Sequence, residues 1–128
     1  MERGAVYNRE LATQVRDFTG LRIGNITPTD IDGLIEYKNR GFVFIEAKRV
    51  GASLPYGQKL ALQRLCDALS KPAILFVVEH ETDGDIDFAK TTVREYYWKG
   101  QWITPERKDL SLREAIDLIL LGWEGGRE

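Results

Sequence analysis

The chain has 128 residues, room for one hydrophobic core and one domain spanning residues 1–128, because two halves of this length would each fall near the size where burial is marginal. Its composition, 43% hydrophobic and 30% charged, excludes disordered and collagen-like classes, and a net charge of −2 means that any basic surface for a polyanion is local. One cysteine, Cys66, and one histidine, His80, exclude a disulfide framework and a Cys/His zinc cluster. With no signal-like apolar leader and no run approaching a bilayer span, the expectation is a cytoplasmic protein without a membrane partner.

Tyr7, Leu11, Val15 and Phe18 recur at helical spacing and predict a helix over residues 6–18, ended by Gly20. Residues 21–26 predict a short strand. Residues 30–37 and 42–48 are rich in Ile, Val, Phe and Tyr and flank the turn cluster Lys38-Asn39-Arg40-Gly41, which predicts a hairpin. Residues 50–55 form a loop by their small residues and proline. Ala61, Leu62, Leu65, Cys66 and Leu69 then trace one face of a helix over residues 56–70, stopped by Pro72. Residues 73–78 are an unbroken apolar run, as a strand covered on both faces requires. The acid-rich segment 79–87 reads as an exposed loop, 91–98 and 101–103 as a second hairpin turning at Lys99-Gly100, and 110–121 as a closing helix. This order predicts an α/β fold, a mixed β-sheet flanked by helices on both faces.

Side chains two apart on a strand share a face, so Phe44, Glu46 and Lys48 point one way while Val43, Ile45 and Ala47 point the other. Hairpin pairing sets the early residues of the preceding strand beside the late residues of this one and brings Asp32 to Glu46 and Lys48. Two converging carboxylates repel unless a cation lies between them, and a hard ion such as Mg2+ or Mn2+ takes oxygen ligands while keeping positions for water and phosphate. A lysine alongside can orient an attacking water and offset charge building on phosphorus, so the set suits phosphodiester hydrolysis. Between residues 37 and 71, seven Lys and Arg outnumber two acids, a local +5 to which phosphates can dock. Arg49 and Lys59 bracket the loop 50–55 there and are the candidate nucleic-acid contacts.

Asp32 after the proline-containing stretch Thr27-Pro28-Thr29-Asp30-Ile31, then Ile45-Glu46-Ala47-Lys48 on a strand followed by a helix, resembles the PD-(D/E)xK nuclease superfamily. Asn8-Arg9-Glu10-Leu11 and Tyr56-Gly57-Gln58 sit where archaeal-type Holliday junction resolvases and VRR-NUC-like nucleases carry an acidic and a polar residue, and the likeness covers residues 7–78. The resemblance implies a restriction-endonuclease-like core and a Mg2+- or Mn2+-dependent deoxyribonuclease, most simply an endonuclease working as a homodimer on DNA. It makes Asp32, Glu46 and the carbonyl of Ala47 metal ligands, with Glu10 binding directly or through water. Lys48 positions or activates water, and Gln58 contacts water or phosphate. Asp30 competes with Asp32 for the first acid; Asp32 is preferred because Gly33-Leu34-Ile35 continues it as a strand. The junction resolvases are strongly basic and this chain is not, which leaves cleavage of junctions or flaps, or binding without cleavage, as the alternatives.

Simpler roles account for the remaining conspicuous residues. Cys66 lies in the apolar stripe of its helix and reads as a packed small hydrophobe; Tyr96, Tyr97, Trp98 and Trp102 read as core or interface aromatics rather than a base-stacking platform. His80 reads as a polar residue at a strand end. An isolated E-x-K triplet is commonly a surface ion pair, and Gln58 at a helix start can serve as a backbone cap. The buried strand and the upstream acid are what single out Glu46 and Lys48.

Overall fold

The computed structural model describes residues 17–125. The helix expected over residues 6–18, and Glu10 with it, lies outside them except for Asp17 and Phe18, which are not helical and lead into a 3-10 turn at Thr19–Leu21. Residues 21–26 do not form the expected strand. Ile23 and Ile26 exchange both backbone hydrogen bonds, at 2.8 and 2.9 Å, around Gly24 at φ 60°, so the segment turns back on itself before any partner strand can pair with it. Apolar content alone suggested a strand here, yet Leu21 and Ile23 are 63% and 74% exposed.

The first hairpin forms, but its first strand starts at Gly33 and not at residue 30, so Asp30 and Asp32 precede it. Strands β1 (Gly33–Tyr37) and β2 (Gly41–Arg49) pair antiparallel with Gly33 opposite Ile45 and Tyr37 opposite Gly41. Lys38 and Asn39 both take positive φ, 49° and 58°, which matches the turn to the twist of the strands. Helix α1 (Tyr56–Ala68) then carries the chain to β3 (Ala73–His80), which lies parallel to β2, and β4 (Thr92–Trp98) and β5 (Gln101–Ile103) add antiparallel strands. The sheet order is β1-β2-β3-β4-β5. Strand β3 outruns its apolar block by two residues, because pairing of Lys48 with Glu79 and of Arg49 with His80 continues the ladder; Glu79 and His80 therefore leave the expected acidic loop and join the sheet. Helix α2 (Leu112–Glu124) closes the chain and starts with a capping box between Ser111 and Glu114.

The two faces of this mixed sheet are covered differently. On one, Val43, Ile45, Ile74, Phe76 and Val78 pack under α2 through Leu112, Ile116 and Trp123, whose indole N–H is buried without a hydrogen-bond partner. On the other, Phe44, Leu75, Val77 and Tyr97 pack under α1 through Leu62 and Cys66. The aromatic residues are built into these cores: Tyr97 contacts Trp102 with ring centroids 5.2 Å apart, Tyr96 contacts Phe76 at 5.9 Å, and Trp98 contacts Trp123 at 6.5 Å. Burial, then the neighbouring Asp67 charge, pushes the Cys66 thiol up to about 11, which suits a packing role.

Gly41 opens β2 directly against the buried Trp123 ring, and a Cβ there would meet ring atoms at 2.7 Å. Gly41→Ala is expected to cost about 1–3 kcal/mol, read as a lower urea midpoint, because the ring has nowhere to move. Gly57→Ala, in helix α1 with open space around its Cβ position, serves as the control and leaves the midpoint unchanged or slightly raised.

Candidate active site

Parallel strands β2 and β3 end side by side, and in open α/β sheets the carboxyl ends of the strands are where ligands bind. Strand alternation sends Glu46 and Lys48 to the α1 face, continuing from Phe44. Asp32 immediately precedes β1; its Oδ2 accepts the backbone N–H of Ala47 at 2.7 Å, and its charge acts on Glu46. The first turn of α1 supplies Gln58. Its Nε2 donates to Glu46 Oε1 at 2.8 Å, while Lys48 Nζ lies 3.5 Å from that oxygen and donates to Gln58 Oε1 at 3.4 Å. Glu46, Lys48 and Gln58 thus close a triangle. Gln58 spends its side chain on the strand, and α1 begins at Pro55 with no side-chain cap.

Glu46 is 3% exposed, and its Oε2 has no hydrogen-bond partner. Burying a carboxylate with one oxygen unsatisfied is costly, and the cost appears in its acidity. Burial first and the Asp32 charge second raise the carboxyl to about 7, outweighing Lys48 and Gln58, which favour the ionised form. Among the described residues no three His, Cys, Asp or Glu side chains gather as a metal site; those at this centre supply two carboxylates, Asp32 and Glu46. That donor set fits Mg2+, which keeps several waters and is commonly held by one or two carboxylates together with substrate phosphate. The unpartnered Glu46 oxygen is the atom such an ion would satisfy. Glu10, the further acid that the resemblance implies, lies outside the described residues.

The other candidates stand around this centre. Asp30 does not join the triangle; it lines a cleft of about 730 Å3 beside Gln58, with Pro28, Leu60, Ala61 and Arg64. Arg49 pairs with Asp83 and donates to the Thr82 carbonyl at 3.3 Å. Lys59 bonds Glu95 at 3.0 Å and lies over the Trp102 ring at 4.2 Å. Both cations nominated for phosphate contact therefore have partners within the chain: the Arg49 pair is exposed and weak, the Lys59 pair more enclosed. His80 Nδ1 lies 3.1 Å from the Thr82 carbonyl. Sequence reasoning missed Arg94, which lies on the rim of this face and pairs with Glu79 at 2.9 Å. No local pattern announces it, because the two residues meet only through the pairing of β3 with β4.

Compared with protein-family models, curated proteins and solved structures, the chain matches none.

The raised pKa of Glu46 has a definite consequence for stability. Between pH 4.5 and about 7 the folded chain keeps a proton that the unfolded chain releases, so stability from this group is complete below 4.5 and is lost as pH rises through about 7. A shift of this size corresponds to on the order of 3 kcal/mol. Urea midpoints of the metal-free protein are expected to fall across that window, and Glu46→Gln is expected to flatten the fall. An unchanged pH slope in the variant would show that another group is responsible.

Proposed function

We propose that this chain is a Mg2+- or Mn2+-dependent nuclease on a restriction-endonuclease-like core, hydrolysing phosphodiester bonds within DNA. The observation that carries the reading is Glu46, a carboxylate buried to 3% exposure with one oxygen unpartnered, beside a second carboxylate and a lysine at the carboxyl ends of parallel strands. A packed core residue at this position would be apolar, since a buried unpaired carboxylate oxygen destabilises the fold without returning any packing energy. The hairpin, the helix that follows it and the parallel third strand support the core assignment, as does the spacing from Asp32 to Glu46-Ala47-Lys48.

In this reading Asp32 and Glu46 would hold the ion, together with the Ala47 carbonyl. When bound, the ion supplies Lewis-acid polarisation of the phosphate and lowers the pKa of a coordinated water. The chain's own residues do the rest. Gln58 fixes Glu46 through Oε1 and leaves Oε2 for the ligand. Lys48, with its side chain 23% exposed, can reach water and phosphate while Gln58 Oε1 limits its swing. As an ammonium it donates hydrogen bonds, so it orients the attacking water and stabilises the negative charge that grows on the phosphoryl oxygens.

The test is cleavage of supercoiled plasmid, synthetic duplexes, branched DNA and RNA by the full chain with Mg2+ or Mn2+. Asp32→Asn, Glu46→Ala and Lys48→Ala are each expected to lower cleavage by about a hundredfold or more, and Gln58→Ala by roughly tenfold. If the wild type and the variants bind DNA alike and none cuts any substrate, the chain is a binding module and the nuclease reading is wrong.

A further inference from the structure

The parallel strand pair β2–β3 sets two carboxylates beside Lys48 on its own face of the sheet. Glu46 lies two residues earlier on β2; Glu79 is the residue paired with Lys48 across the parallel β2–β3 ladder. Laterally paired residues leave a sheet on the same side, from backbones about 4.8 Å apart. An uncompensated Glu79 would therefore compete with Glu46 and Gln58 for the Lys48 ammonium.

Glu79 is instead paired with Arg94. The arginine stands where the β3–β4 register slips: Val77 pairs with Glu95 and Val78 with Val93, so Arg94 is the extra residue of a β-bulge, a device that re-aims a side chain. Its Nε and Nη2 both reach Glu79 Oε2, at 3.0 and 2.9 Å. Its Nη1 donates to the Ala52 carbonyl at 2.7 Å, in the loop that joins the strand of Lys48 to the helix of Gln58. The Arg94 and Glu79 side chains are 24% and 29% exposed, so the pair is shielded more than a surface bridge, and the forked guanidinium suits a carboxylate better than an ammonium does.

We propose that Arg94 is a positioning residue that, by occupying Glu79, keeps the Lys48 ammonium on Glu46 and Gln58. Its catalytic consequence rests on the nuclease reading above; its structural consequence does not.

Arg94→Gln leaves Glu79 without a cation, and combining it with Glu79→Gln separates that charge from the lost contact to the Ala52 carbonyl. The single variant is expected to lower kcat about tenfold with KM within about twofold, and its crystal structure is expected to show Lys48 Nζ moved onto Glu79. Adding Glu79→Gln should restore kcat to within about threefold of wild type and return Lys48 to Gln58, and Arg94→Lys should retain most of the activity. A double variant as slow as the single one, or a Lys48 that stays on Gln58 in Arg94→Gln, overturns the proposal. If the wild type cuts nothing, the nuclease reading fails by itself, and the position of Lys48 in the variant structures decides the role of Arg94.

Discussion

A carboxylate buried against a β-sheet is the constraint around which this molecule is arranged. Glu46 sits on β2 with 3% exposure, and desolvation makes its ionised form expensive. The chain answers with a lysine two residues further on the same strand and a glutamine from the first turn of α1, both directed to Oε1. Neither reaches Oε2. The site is therefore half-satisfied, with one carboxylate oxygen paired and the other not.

The two faces of the sheet divide the labour. Beneath α2 the packing is apolar but for the unpartnered Trp123 indole N–H, with the Trp123 ring seated against the backbone of Gly41, and this side supplies the burial that lets the other side carry charge. Beneath α1 the face is split along the strands. The central rows, Phe44, Leu75 and Tyr97, are apolar, whereas the carboxyl ends of β2 and β3 present Glu46, Lys48 and Glu79. Rigid paired strands hold these groups at fixed spacings, which a loop could not do, and the β4 bulge adds Arg94 to the rim. Arg94 also donates to the Ala52 carbonyl in the loop between Lys48 and Gln58.

Much of this was legible along the chain. The Ile, Val, Phe and Tyr content of residues 30–37 and 42–48, together with a turn cluster that accepts positive φ, specified the first hairpin, and with the hairpin came Asp32 beside Ala47 and Glu46. The apolar stripe of α1 identified Leu62 and Cys66 as its buried face. Gln58 was visible as a polar residue at a helix start; that its amide reaches Glu46 instead of capping its own helix is a tertiary fact. Residues 21–26 misled because apolar residues were read without the turn around Gly24. Glu79 was read as loop because apolar patterning ends at Val78 although backbone pairing does not.

By itself the sequence determined the local chemistry: which side chains alternate onto one face, where the chain must turn, and that two acids and a lysine converge at the end of one hairpin. Those features depend on neighbours within a few residues or across a single tight turn. Only the tertiary structure decided which charges compensate each other. Arg49 meets Asp83 across 34 positions of chain, Lys59 meets Glu95 across 36, and Arg94 meets Glu79 across a ladder whose register contains a bulge. Coulomb interactions depend on distance in space, and strand order together with one extra residue in a ladder sets that distance, so no window along the chain contains it.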